Sequence, residues 1–268
     1  MDFGDFYFSA NEQLRLADLL PVGERYYKSF PKSTWKAEYQ SLSFNEWKRL
    51  LNENGYDTNR IKYNKNLNSI RNLFYVGDYF TQDIGTVDPT WLLNEIGIKR
   101  LKADEQAKKA FEKKDYSLIF FPEWNMFAID YFIKLYKEID KVQLYEVFKE
   151  VYTLSNYGFS MFPEEILEEV FLHAPTQDAI KILKRLNITD KDGYITVYRG
   201  EGKRSTPVEE AYSWTLSKSI ATKFAHHFGV GNVYQAKVKL EKIIDYDNER
   251  NEEEILVRYR DIEEVTIV

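Results

Sequence analysis

Hydrophobic and polar positions along this chain follow two different periods. From residue 102 to 186 apolar side chains return every three or four positions, as on helices with one buried face. From residue 194 onward they return every second position, as on half-buried strands. In the helical part, Trp124, Phe127, Ala128, Tyr131, Leu135 and Ile139 form one stripe after Pro122, and Leu144, Val147, Phe148 and Val151 form a second. Pro163 followed by Glu164 and Glu165 reads as a helix first turn, with Ile166, Val170 and Phe171 on its buried face. Thr176 and Asp178 open a further helix through Ile180, Leu183 and Leu186.

Residues 1–100 carry a weaker pattern. One helix is clear: Ser43 and Glu46 make a capping box, Phe44, Trp47, Leu50 and Leu51 supply an apolar stripe, and Gly55 follows the end. The Asn-rich stretch 52–72 reads as loop and turn. This region is expected to be largely helical, with no role legible from its residues.

The strand-like part opens after the turn signal Asp192-Gly193 with residues 194–198, then 211–215. Ser217 is a candidate N-cap for a helix carrying Ile220, Ala221, Phe224 and Ala225 and ending near Gly229. In 233–240, Tyr234, Ala236, Val238 and Leu240 face one way and Gln235, Lys237 and Lys239 the other. Residues 243–246, 254–259 and 264–268 complete the strands. The pattern predicts an α+β protein: an N-terminal region 1–100, then a domain 101–268 made of a helical lobe 101–190 and a β-rich core 191–268.

Composition narrows the class. Of 268 residues 44% are hydrophobic and 30% charged, which predicts a soluble globular protein. The aromatic share of 16% points to aromatic-rich packing rather than disorder. A net charge of -6 disfavours a protein that grips nucleic acid by charge alone. Absence of cysteine excludes disulfides, thiolate chemistry and Cys-based zinc sites. The first residues lack the basic segment of a signal peptide, and the most apolar stretch, 118–136, is broken by Pro122, Glu123, Asp130 and Lys134. The expectation is a cytoplasmic protein without a membrane span, with later delivery into another cell left open.

No Walker loop or Gly-x-Gly-x-x-Gly run is present. His226-His227 are adjacent and share no helix face, so a helix end favouring His explains them better than a metal, and no metal site is expected. Lys102, Lys108, Lys109, Lys113 and Lys114, diluted by Glu105 and Glu112, read as a solvated helix face.

Three short segments carry candidate chemistry: Tyr198-Arg199-Gly200 at a strand end, Ser213-Trp214-Thr215 before a helix, and Glu252-Glu253-Glu254 at the mouth of an apolar strand. Alone, each has a plain reading: a salt-bridged strand arginine, an edge strand with a core tryptophan, a solvated charge run. Together they suit cleavage of the nicotinamide–ribose bond of NAD. That reaction passes through an oxocarbenium-like transition state, which a nearby carboxylate stabilises as charge develops. An arginine fork suits the dinucleotide's pyrophosphate, and a serine hydroxyl can steady the carboxylate. Strand geometry predicts Glu252 and Glu254 on one face, with Glu253 turned away, so a second carboxylate can activate a nucleophile as general base.

At these residues the chain resembles the ADP-ribosyltransferase family, in its arginine–serine–glutamate toxin-like class. The resemblance covers roughly residues 191–268. Arg199 matches the first-strand arginine, and Gly200 would offer its backbone to the nicotinamide amide. Ser213 and Thr215 match the Ser-x-Ser strand, departing by Thr in the third position. Glu254 matches the catalytic glutamate and Glu252 the upstream residue, where Glu accompanies modification of arginine. Phe224 resembles a residue lining the nicotinamide pocket, and residues 247–251 a turn that meets the acceptor. The resemblance implies a mixed α/β core with two small packed sheets around an NAD cleft. It implies mono-ADP-ribosyl transfer, with NAD a consumed substrate and no metal. The favoured acceptor is protein arginine, in a toxin or phage–host conflict setting, with an antitoxin or inhibitor protein as a further partner. The alternatives are an ADP-ribosyltransferase acting on RNA or DNA, an NAD glycohydrolase, and a non-enzymatic binding module.

Overall fold

Ser43 closes the first turn of helix Phe44–Glu53 from both directions, as its spacing to Glu46 predicts. The Ser43 hydroxyl accepts from the Glu46 amide at 3.3 Å, and the Glu46 carboxylate accepts from the Ser43 amide at 2.8 Å. Trp47 and Leu51 face inward, and Trp47 Nε1 donates to the Val87 carbonyl at 2.8 Å. Gly55 follows the helix with a φ of 91°, the left-handed exit that glycine adopts without strain. Ser43→Ala removes the cap acceptor and is expected to lower unfolding free energy by about 1 kcal/mol. Denaturant titration would read this as an earlier midpoint at unchanged slope.

The computed structural model describes residues 15–65, 72–120, 126–154, 159–203, 205–227 and 229–268. It is a mixed α/β protein with two antiparallel sheets, of four and six strands. No described helix is long and apolar enough to cross a membrane. The chain divides into two compact units, Met1–Asp140 with Lys149–Ser155, and Lys141–Phe148 with Asn156–Val268. Trp124 and Pro122 of the aromatic stripe lie outside the described residues.

The first unit has more of its described residues in helices than in strands, and it also carries a small sheet that the sequence pattern does not show. It holds a meander of β1 (Leu20–Pro21), β2 (Ile61–Tyr63), β3 (Leu73–Val76) and β4 (Thr81–Asp83). Strand β2 falls inside the stretch 52–72 that reads as loop, because a three-residue strand has no period to detect. Strand β3 is a continuous apolar run buried on both faces. Leu73 and Tyr75 join Tyr27, Trp35, Trp47 and Leu51 in one cluster, while Phe74 meets Phe127 edge-on at 5.3 Å. Tyr131 of helix Ala128–Leu135 donates to the Gly77 carbonyl at 3.0 Å and lies 2.7 Å from the Thr81 hydroxyl. Residues 101–140 group with the first unit.

The second unit follows the predicted pattern more closely. Its strands are β5 (Tyr194–Glu201), β6 (Ser213–Thr215), β7 (Asn232–Lys239), β8 (Asp245–Asp247), β9 (Glu254–Leu256) and β10 (Ile262–Ile267). They form one antiparallel sheet in the order β10-β7-β5-β6-β9-β8. The two small packed sheets expected for 191–268 are therefore replaced by a single six-stranded sheet. Its halves join narrowly, since β5 and β6 pair only at Tyr198 and Thr215. One face buries Ile195, Val197, Trp214, Ala236, Val238 and Ile255 with Leu183 from helix Thr176–Leu186. Helix Lys218–His226 packs Ala221 and Ala225 against Val233 and Tyr198. Beyond β9, Arg258 grips Glu168 of helix Glu164–Phe171 through two hydrogen bonds, of 2.8 and 2.7 Å. That fork, with Arg260, holds the Glu168 carboxyl below the usual carboxylate range and fixes the chain leaving β9.

Candidate active site around Glu254

Strand β6 has three residues, and each has a separate task. Trp214 points into the core, while Ser213 and Thr215 share the opposite face. Strand β9 lies alongside with Thr215 opposite Glu254 and Ser213 opposite Leu256. This register puts the Ser213 hydroxyl within reach of the Glu254 carboxylate, and Ser213 Oγ donates to Glu254 Oε1. Glu254 is 8% exposed, so its charge is largely withdrawn from water and held by a charge-assisted hydrogen bond.

Arg199 sits where the β5–β6 ladder stops. Its Nη1 donates to the Ser213 carbonyl and its Nη2 to the Thr206 carbonyl, both at 2.8 Å. The guanidinium thus tethers β6 beyond the Tyr198–Thr215 pair and fixes the backbone of the residue that steadies Glu254. Thr215 has a matching task on the other side. Its hydroxyl donates to the Glu252 carbonyl at 2.6 Å and accepts from the Ser217 amide at 3.0 Å. Ser217 in turn caps helix Lys218–His226, accepting from the Ile220 amide at 3.4 Å. Thr215 therefore couples the turn before β9 to the start of that helix.

Glu252 reaches Glu254 by a route that simple alternation does not describe. The strand begins at Glu254, and Glu252 lies in the turn before it. Asn251 and Glu253 have φ of 57° and 49°, in the left-handed region where residues with a Cβ are strained. The turn is held by the Glu253 amide donating to Asn248 Oδ1 at 3.1 Å and the Leu216 amide donating to the Glu253 carbonyl at 3.1 Å. Both carboxylates meet the same guanidinium: Arg250 Nη2 lies 2.9 Å from Glu252 Oε2 and 3.6 Å from Glu254 Oε2.

Gly200 and Phe224 belong to the neighbouring strand–helix seam. A Cβ on Gly200 would stand 1.9 Å from the Ala221 carbonyl oxygen and 2.6 Å from the Ala225 nitrogen. Glycine is required there because helix backbone touches strand backbone. Phe224, on the same helix, is 49% exposed. His226 and His227 occupy the last turn and C-cap of this helix.

Sequence reasoning missed a buried pair at the edge of this sheet, Asp245 of β8 and Tyr145 of helix Leu144–Leu154. Asp247 pairs with Glu254 and Asp245 with Leu256, so both aspartates share the face that carries Glu254. Asp245 is buried and accepts from the Tyr145 hydroxyl at 2.7 Å. Burial raises the Tyr145 pKa far above the ordinary tyrosine value, and the Asp245 carboxylate raises it further, so this phenol stays a donor. An aspartate after Ile243-Ile244 at the head of a strand was the available signal, since Asp is depleted in strands. The tyrosine, a hundred positions upstream, had none.

The site combines a desolvated carboxylate, a hydroxyl that orients it, a second carboxylate beside it and an arginine that fixes the supporting strand. Such a group can stabilise positive charge developing on a neighbouring carbon, and its companion can take a proton. Searches of protein-family models, curated proteins and solved structures found no match to this chain.

Proposed function

We propose that this protein is an NAD-dependent mono-ADP-ribosyltransferase whose reaction centre is Glu254. The observation that carries the reading is the Ser213–Glu254 hydrogen bond on adjacent strands, with Glu252 and Glu254 converging on one guanidinium. In this reading NAD is consumed. Its ribose lies against Glu254, whose fixed negative charge stabilises the oxocarbenium-like transition state as nicotinamide departs. Ser213 holds the carboxylate in one orientation, so little reorganisation accompanies the charge change. Arg199 keeps β6 in place and brings a fixed positive charge toward the pyrophosphate. Gly200 lets helix Lys218–His226 close against β5, and Phe224 offers a half-exposed ring beside that seam for the nicotinamide. Glu252 takes the proton of the incoming nucleophile.

The Arg250 contact favours a guanidinium as that nucleophile, hence protein arginine as acceptor. Labelled NAD added to a cell lysate with the protein tests both halves of the reading. Release of nicotinamide with label retained on protease-sensitive material is the expected result. Label that survives protease and is lost to nuclease would replace arginine with a nucleic-acid acceptor. Release without retained label would make the protein a glycohydrolase, and no release would remove the reading. Glu252→Gln is expected to keep slow nicotinamide release and to lower transfer to arginine by about 10²-fold, the usual worth of a general base. Unchanged transfer in that variant would remove Glu252 from proton transfer.

A further inference from the structure

Arg250 occupies the position an acceptor arginine would need. Its Nη2 is 2.9 Å from the Glu252 carboxylate, which the proposed reaction uses as proton acceptor, and 3.6 Å from Glu254, the group beneath the reacting ribose. The arginine is nearly half exposed, whereas Glu254 is almost covered, so the guanidinium enters the site from the solvent side. It is also held there: Arg250 precedes Asn251 and Glu253, whose left-handed conformations and amide contacts to Asn248 set the turn. Two other arginines of this unit are engaged elsewhere. Arg258 is clamped by Glu168, and Arg199 is bonded to the Ser213 and Thr206 carbonyls. A nucleophile pre-positioned beside its own base makes an intramolecular reaction fast compared with one that must find its partner by diffusion.

We infer that Arg250 is a self-modification site: the protein transfers ADP-ribose from NAD to its own Arg250. The inference rests on the transferase reading above. In the step, the bond between ribose C1′ and the nicotinamide nitrogen breaks, and nicotinamide leaves with the electron pair as a neutral molecule. An Arg250 Nη supplies the pair for the new bond to C1′, its displaced proton passes to Glu252 and then to water, and the substituted guanidinium keeps one positive charge. No electrons are gained or lost overall. The product places a dinucleotide-sized group on the turn that meets any external acceptor, so modification would also close the site to further transfer.

The test uses the purified full chain with labelled NAD and no other macromolecule. Nicotinamide release is followed by chromatography, and the protein is digested and mapped by mass. The expected result is a single ADP-ribosyl group on Arg250, at a yield that does not change when the protein is diluted. Nicotinamide release with an unlabelled chain, label on another residue, or a yield that falls on dilution each overturns self-modification and leaves the transferase reading standing. Absence of nicotinamide release removes both. Arg250→Lys keeps the charge but not the guanidine, and complete loss of label is expected, with a thermal melt confirming the fold. Label retained in that variant overturns the assignment.

Discussion

In the proposed reaction, Glu254→Gln is expected to lower nicotinamide release from NAD by about 10³-fold, the scale on which a preorganised electrostatic group acts, while leaving the thermal melt close to that of the parent. The substitution is nearly isosteric, and the amide oxygen can still accept from Ser213 Oγ. What disappears is the negative charge. In water that loss would matter little, but Glu254 is 8% exposed and pinned by a hydrogen bond, so no solvent dipole can take its place. The charge matters most when the ribose becomes cationic, so kcat should fall far more than KM rises. The fold should tolerate the change, because removing a charge from a covered position relieves desolvation. Parent-like turnover in the variant would refute the assignment of Glu254, and loss of the cooperative melt would show that the carboxylate is structural.

Gly200→Ala is expected to lower stability by about 3 kcal/mol, at the upper end for an inserted methyl group. The reason is that nothing flexible stands in the way. The added Cβ would meet the Ala221 carbonyl oxygen at 1.9 Å and the Ala225 nitrogen at 2.6 Å, both backbone atoms of helix Lys218–His226. Side chains can rotate away from such a clash, whereas a helix must move as a body. Gly231 tightens the same seam, since a Cβ there would stand 2.3 Å from the Glu201 carbonyl oxygen and 2.4 Å from that of Ala225. Retreat of the helix would pull on its cap at Ser217, on Thr215 and thus on the turn carrying Glu252. Stability and nicotinamide release should therefore fall together. Calorimetry should give a midpoint lower by roughly 10 °C for a unit of this size. An unchanged midpoint would show that the strand and helix are not in backbone contact.

Much of the second unit was legible because its signals are local. The alternation in 233–240 became β7, Ser217 became a cap, and Pro163 with its two glutamates opened a helix, each within a residue or two of its predicted place. Strand β10 shows the limit of such reading. Its register with β7 shifts between Glu263 and Thr266, and Glu264 takes a φ of 53°, so strict alternation fails there. In the first unit, β1 has two residues and β2 three, too few for any period, and the sheet they form is anchored by β3, whose Leu73 and Tyr75 join one apolar cluster while Phe74 meets Phe127.

By itself, the sequence determined where the period changes from helix to strand, which residues cap the helices at Ser43 and Ser217, and the chain order of Arg199, Ser213 and Glu254. These depend on neighbours a few positions away, and the backbone's own geometry reads them. Only the tertiary structure decided that the strands of 191–268 close into one sheet, that Glu252 sits in a strained turn rather than on the strand, and that Arg250 lies between the two glutamates. Each of those depends on register and on partners brought together from far apart. Ser213 and Glu254 are 41 residues apart in the chain, and Tyr145 and Asp245 are 100. No local period encodes such distances. They follow from burying one face of the six-stranded sheet, which sets the strand alignment and with it which side chains meet Glu254.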